Sequence, residues 1–160
     1  MSQTRFINPQ TLGKPPGYTH VVEITGPGRI VYIAGQLGVD RDGKVVGDIR
    51  AQAEQTFENL KAALAAVGAD FRDVVKLNNY LVDRAHLPTF REVRDSYLPA
   101  DNRPASTTIA ISGLAREGAL IEIEAVAALP PATRSKARSA SKRASKAARP
   151  ARAPSRGRRK

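Results

Sequence analysis

Two helical patterns stand out in the order of apolar and polar positions along the chain. Between residues 49 and 67, apolar side chains recur every three or four positions and therefore share one helix face. These side chains are Ile49, Ala53, Phe57, Leu60, Leu64 and Val67. Asp48 is suited to cap this helix and Gly68 to end it. A second amphipathic helix is predicted from Pro88 to Leu98, with its proline in the first turn.

Runs that are rich in β-branched residues, some alternating with polar ones, predict the strands. They are Val21–Thr25, Arg29–Ala34, Val74–Val82, Ser106–Ile111 and Leu120–Ala128. The Gly-Pro-Gly turn at 26–28 places the first two predicted strands at the distance of a hairpin. The residues before position 11 are interpreted as a polar lead-in. The order is β-β-α-β-α-β-β, which predicts an α+β fold with two helices on one face of a sheet.

The second predicted strand carries apolar side chains on both of its faces. Ile30 and Tyr32 point one way, whereas Val31 and Ile33 point the other way. Because two helices cover only one face of the sheet, another surface must cover the second face. Self-association is the simplest solution, so the pattern predicts an oligomer.

The distribution of charge divides the chain into two segments. The 160 residues have a formal net charge of +11, but 12 of the 26 Lys and Arg residues, and no Asp or Glu, lie in residues 131–160. Residues 1–130 therefore carry a net charge of −1 and have the length of one domain. The remaining segment, mostly Ala, Ser, Pro, Lys and Arg, cannot bury enough apolar surface to offset the entropy of ordering, which predicts a disordered tail.

The basic tail, residues 131–160, has two interpretations. Its cationic side chains are expected to bind the phosphates of nucleic acid without sequence preference. The alternative is an extension that has no partner. We favour contact with a polyanion.

Several classes of chemistry are excluded or disfavoured. A chain without cysteine has no disulfides, thiolate metal sites or cysteine nucleophiles. It has no apolar run of the roughly 20 residues that span a bilayer, and no apolar core of a signal peptide, so we expect a cytoplasmic protein without a membrane partner. His20 and His86 lack companions at metal-ligand spacing, and no Gly-rich phosphate loop or nucleophile elbow occurs. We expect no metal and no cofactor.

Glu122 and Glu124 are two residues apart on the last predicted strand, so both point to the same sheet face. Two such carboxylates can be solvated, paired with arginine, or part of a catalytic site. Spacing alone favours the solvated interpretation.

Six motifs in register resemble those of the RidA/YjgF family of reactive-intermediate deaminases, over roughly residues 5–129. They are Gly17-Tyr18, Ile33-Ala34-Gly35-Gln36, the helix run from Asp48 to Leu60, Val74-Val75-Lys76, Pro104-Ala105-Ser106 and Ile121-Glu122-Ile123-Glu124-Ala125. The resemblance implies a chorismate-mutase-like fold and a homotrimer with clefts between subunits. It also implies a small-molecule substrate, because active members hydrolyse enamine or imine intermediates to 2-oxo acids and ammonia.

The resemblance also implies roles for individual residues. Tyr18 matches the tyrosine of the family's N-terminal Gly-Pro-Tyr turn, and Gly35 matches the glycine of its Ser-Gly-Gln motif. Glu122 matches the glutamate that positions water. These residue types suit the chemistry, since imine hydrolysis needs a positioned water, a proton route and a group that neutralises the substrate carboxylate.

The chain departs from the family at the carboxylate clamp. Active members have Pro-Ala-Arg where this chain has Pro-Ala-Ser106, and serine cannot form the bidentate pair that arginine makes with a carboxylate. Ser106 and Thr107 remain the candidate substrate-binding residues on this strand. The serine of Ser-Gly-Gln is Ala34 here.

The second predicted helix carries two arginines near the expected cleft. Arg91 stands where the family usually has an asparagine, and Arg94 where it usually has a tyrosine. Arg91 is a candidate for the missing positive charge. The alternative is that both arginines are solvated residues of the helix, or are paired with Asp95 or another nearby acid.

Three functions follow from these observations. The first is a hydrolytic deaminase with an altered substrate clamp. The second is a non-catalytic Rid homologue that binds a small metabolite in the same cleft, and the third is association with nucleic acid through the tail. Some family members carry a ribonuclease label, but no His pair or carboxylate cluster in this sequence supports nuclease chemistry.

Overall fold

The computed structural model describes residues 3–131, so that all but the first residue of the predicted basic tail lies outside the described residues. The strands are β1 (Gln3–Ile7), β2 (Val21–Thr25), β3 (Arg29–Leu37), β4 (Val74–Leu81), β5 (Ala105–Ala110) and β6 (Ile121–Leu129). The helices are α1 (Ile49–Ala65) and α2 (Leu87–Tyr97), and short 3₁₀ turns precede β4 and α2. Neither helix of this described region is long and apolar enough to cross a membrane.

Helix α1 has the capping interactions that its sequence predicts. The Asp48 carboxylate accepts a hydrogen bond from the backbone N–H of Ala51 at 3.0 Å, which satisfies one of the free donors at the helix start. Past the helix end, Gly68 has a φ of +74°, a left-handed conformation that glycine adopts without strain.

The core lies between the two helices and one face of a four-stranded sheet of order β3-β6-β4-β5. Phe57 of α1 stacks on Tyr97 of α2 with ring centroids 5.0 Å apart. In β6, Ile121 and Ile123 are completely buried, and alternate residues of the strand are only half-buried. This two-residue period places one face of the sheet against the helices, as predicted.

The structure differs from the sequence prediction at the N-terminus. The residues interpreted as a polar lead-in form β1, and β2 pairs antiparallel with β1 instead of forming a hairpin with β3. The pair is a separate two-stranded sheet, in which Arg5 lies opposite Glu23 and forms a 2.7 Å ion pair with it. A polar strand that is stabilised by a partner 18 residues away leaves little local signal, which explains the error.

The side of the four-stranded sheet that faces away from the helices is here called the open sheet face. Its apolar members include Tyr32, which is 81% exposed, together with Ile30 and Ile109. Val31 and Ile33 point the other way, as predicted, and the structure shows that this side faces the helices. The described part of the chain therefore leaves an apolar surface uncovered, as the sequence led us to expect.

Candidate active site

A β-bulge in β3 brings Gly35 and Glu122 together. The antiparallel pairing of β3 with β6 slips between Ile33 and Gln36, so the backbone at Gly35 leaves the regular ladder. The Glu122 carboxylate packs directly over Gly35, and a Cβ at position 35 would overlap the Glu122 Oε1 atom. A glycine is needed here because of this close approach of a side chain to the backbone.

Glu122 and Glu124 share the open sheet face but differ in their hydrogen bonds. Oε2 of Glu124 accepts hydrogen bonds from Asn78 Nδ2 and from the Tyr80 hydroxyl, both at 3.2 Å. Within residues 3–131, no hydrogen bond or ion pair involves the Glu122 carboxylate. Glu122 can therefore accept a proton or orient a water molecule, whereas Glu124 is already engaged.

Ser106 and Thr107 point to opposite sides of β5. Thr107 lies on the open sheet face, where its Oγ1 accepts a 2.6 Å hydrogen bond from Lys76 Nζ, and desolvation lowers the pKa of that lysine. Ser106 lies on the helix side, where Asn79 Nδ2 donates a 3.0 Å hydrogen bond to its Oγ. Because Asn79 is only 1% exposed, Ser106 is held toward the interior.

A cavity of about 530 Å³ lies between the turn at 14–19, the second half of α2 and the loop at 100–103. We call it the arginine pocket. Its charged lining residues are Lys14, Arg91, Arg94, Asp95 and Arg103, and Tyr18 also lines it. The structure thus brings two predicted site residues, Tyr18 and Arg91, into one cavity.

Asp95 organises the charged wall of the arginine pocket. Its Oδ1 accepts from Arg94 Nε at 2.9 Å and also forms an ion pair with Arg103. Burial by itself raises the pKa of Asp95, but the hydrogen bonds from Arg103 and Arg94 outweigh it, so the pKa lies below its usual value. The Arg94 side chain is only 5% exposed and lies over the Phe90 ring, which rules out the solvated interpretation of Arg94.

The turn that carries Tyr18 is fixed against this arginine cluster. Gly17 has a φ of +86°, and a Cβ there would overlap the Arg94 guanidinium. His20 holds the same turn, since its ring nitrogen Nε2 is 2.8 Å from the carbonyl oxygen of Gly13 and its ring packs edge-on against Tyr18. His20 therefore has a structural role in this turn.

Arg91 is exposed and lines two neighbouring cavities. One is the arginine pocket, and the other, of about 230 Å³, lies between α2 and β5 and includes Thr108. Thr108 and Ser106 are two residues apart on β5, so both point to the helix side of the sheet. Arg91 is therefore on the same side of β5 as Ser106.

Sequence reasoning missed Lys14, Asp95 and Arg103 as pocket residues, although it mentioned Asp95 as a partner for the helix arginines. Arg103 had a local signal, because it stands directly before Pro104-Ala105-Ser106. Asp95 and Lys14 had none, since their proximity depends on how the turn packs against α2. Among residues 3–131, no three His, Cys, Asp or Glu side chains are grouped in a way that could hold a metal ion.

Comparison with known proteins relates this fold to a family. A family model described as Endoribonuclease L-PSP matches residues 11–129. The crystal structure of the Rid-family protein YyfB from Yersinia pestis is 36% identical, with a TM-score of 0.71 over 79% of this chain and 98% of that one. The chain belongs to the RidA/YjgF family. This confirms the resemblance and the α+β fold predicted from the sequence.

Two curated relatives of this RidA/YjgF chain have names that state an activity. A protein of Acinetobacter baylyi named 3-aminoacrylate deaminase RutC is 36% identical over 72% of this chain and 91% of its own length. A 2-iminobutanoate/2-iminopropanoate deaminase of Dermatophagoides farinae is 33% identical over 79% of this chain and 97% of its own length. These relatives support an imine deaminase-like function for the RidA/YjgF domain.

Proposed function

We propose that this protein hydrolyses small enamine or imine intermediates to 2-oxo acids and ammonia. The observation that supports this most directly is the Glu122 carboxylate, which lies over the Gly35 backbone and has no hydrogen-bond partner among the described residues. The deaminase names of the two relatives favour the same reaction class.

In the proposed reaction, Glu122 acts as the general base. The oxygen of a water molecule bonds to the imine carbon, and the π electrons of the C=N bond move to nitrogen. Glu122 takes a proton from this water and gives it to the nitrogen, which leaves an amine and a hydroxyl group on the same carbon. Glu122 then transfers the hydroxyl proton to the amine nitrogen, and the C–N bond breaks as the C=O bond forms, so that the nitrogen leaves as ammonia. Imine and water thus give 2-oxo acid and ammonia.

The two halves of the proposed site are not in contact within one chain. Glu122 and Gly35 lie on the open sheet face, whereas Tyr18 and Arg91 line the arginine pocket beside α2. We propose that a second copy of the chain brings the two halves together, in a homotrimer whose clefts lie between subunits. The exposed apolar side chains of the open sheet face support this assembly.

The full chain is expected to sediment as a trimer at micromolar concentration. Tyr32→Glu should shift it toward monomer, because a carboxylate would replace an apolar ring that is 81% exposed on the open sheet face. Leu12→Glu is the matched control, since Leu12 is also an exposed apolar residue but lies outside the four-stranded sheet. A wild-type chain that sediments as a stable monomer would contradict the proposed assembly.

The carboxylate clamp at position 106 is where this chain departs from the family pattern, so a substitution there provides the direct test of function. We expect the full chain to release ammonia and pyruvate from freshly generated 2-aminoacrylate, the enamine tautomer of 2-iminopropanoate. Ser106→Arg introduces a guanidinium on the helix side of β5 next to Asn79, whose Oδ1 is a buried acceptor with no partner among the described residues. If arginine at 106 adds to the clamp, KM should fall while kcat changes little.

Activity in Ser106→Arg together with none in the wild type would overturn the deaminase proposal. That result favours the second candidate, a non-catalytic Rid homologue that binds a small metabolite in the same cleft and contacts nucleic acid through its tail. The observation behind this candidate is Ser106 itself, which has no guanidinium and whose Oγ accepts a hydrogen bond from Asn79 Nδ2. The cytoplasmic location remains a prediction for both candidates.

A further inference from the structure

The arginine pocket has more positive charge than a single carboxylate requires. Four cationic side chains line it, and Asp95 is the only carboxylate among its lining residues, which leaves three formal positive charges unmatched in the wall. One bidentate arginine is sufficient for one carboxylate. The excess charge therefore fits a ligand with more than one anionic group.

The donors of this wall are positioned before any ligand arrives. Arg94 and Arg103 are both anchored on the same oxygen of Asp95, and the Arg94 guanidinium packs against Gly17. A guanidinium has five N–H donors, and the hydrogen bonds of Arg103 within the described region involve only Nη1. Its remaining donors are free for a ligand, and their fixed position reduces the entropy lost on binding.

The size of the arginine pocket supports the same conclusion. Its volume of about 530 Å³ is within the range of roughly 300–1,000 Å³ typical of small-molecule sites, and it exceeds the space that a three-carbon imino acid fills. Because Arg91 lines both this pocket and the cavity beside β5, one ligand can span the boundary between them.

We infer that the arginine pocket selects dicarboxylic substrates, with the second carboxylate of a 2-imino dicarboxylic acid bound by Arg103 and Lys14 and its 1-carboxylate bound by Arg91. This inference rests on the proposed function, because it names the substrate class of the same site. The inference can be tested without catalysis, because the protein can bind a 2-oxo acid product without turnover.

The test compares 2-oxoglutarate with 2-oxobutanoate by titration calorimetry on the full chain at constant ionic strength. Both probes have the same 2-oxo acid end, and only the first has a second carboxylate. The wild type should bind 2-oxoglutarate at least about tenfold more tightly. In Arg103→Gln the preference for 2-oxoglutarate over 2-oxobutanoate should fall below about threefold. Lys14→Gln should also reduce this preference, while the ion pair between Arg103 and Asp95 stays in place.

Arg72→Gln is the matched control, because it removes one positive charge from an exposed side chain that pairs with Asp70 outside the pocket. It should retain the wild-type preference. Equal binding of the two probes by the wild type, or binding of inorganic phosphate as tight as that of 2-oxoglutarate, would overturn the inference. If Arg103→Gln does not fold, Lys14→Gln and Arg91→Gln decide the question.

The outcomes separate this inference from the proposed function. Tight binding of 2-oxoglutarate without imine hydrolysis supports the ligand class and overturns the deaminase proposal. Hydrolysis of 2-aminoacrylate with no preference for 2-oxoglutarate overturns the inference and leaves the deaminase proposal standing.

Discussion

Glu122→Gln is expected to lower kcat for imine hydrolysis by about 10²- to 10⁴-fold, the range that a positioned general base contributes. The amide has the same shape as the carboxylate but cannot take a proton from water. Because Glu122 forms no hydrogen bond with another described residue, the variant should fold and assemble normally. The measurement is single-turnover hydrolysis of 2-aminoacrylate, with binding of 2-oxobutanoate measured in parallel and unchanged within about twofold.

Glu124→Gln is the matched control for this experiment. Glu124 lies two residues along the same strand and on the same sheet face, and it accepts hydrogen bonds from Asn78 and Tyr80. Its replacement should affect stability more than kcat, since an engaged carboxylate loses charge-assisted hydrogen bonds. Equal losses of kcat in the two variants would show that the charge of the open sheet face matters, and would argue against Glu122 as the base.

Removal of residues 131–160 is expected to abolish binding to nucleic acid. The full chain has 12 Lys and Arg residues in that segment, whereas the remaining body has a net charge of −1. If the body is a trimer, three tails act on one particle and increase the apparent affinity through effective concentration. The affinity of the full chain for an arbitrary DNA duplex should fall by about 10³-fold or more between 50 and 200 mM salt, because each neutralised phosphate releases condensed counterions.

The truncated chain should keep its melting temperature and its hydrolytic rate, since β6 ends at Leu129 and the residues between 3 and 131 that line the arginine pocket fall between positions 8 and 103. Salt-insensitive binding by the full chain, or equal binding by the truncated chain, would identify the tail as an extension without a partner. A large fall in melting temperature after truncation would instead show that the tail packs against the body.

The sequence predicted the helices and most strands because their signals are local. The spacing of apolar side chains in α1, the Asp48 cap and the alternation in β6 each depend on residues within a few positions of one another. β1 escaped prediction because its partner strand lies far along the chain, and its own residues are mainly polar. The same difference between local and long-range information applies to the candidate site.

By itself, the amino-acid sequence determined the family, the α+β fold and the uncovered apolar sheet face. It also has a serine at position 106, where the family resemblance predicts the clamp arginine. Only the tertiary structure decided which candidate residues meet. It placed Glu122 over Gly35 through a bulge, and turned Ser106 away from Thr107. It also gathered Arg94, Asp95 and Arg103 under the turn of Tyr18, because packing brings together groups that the linear order keeps apart.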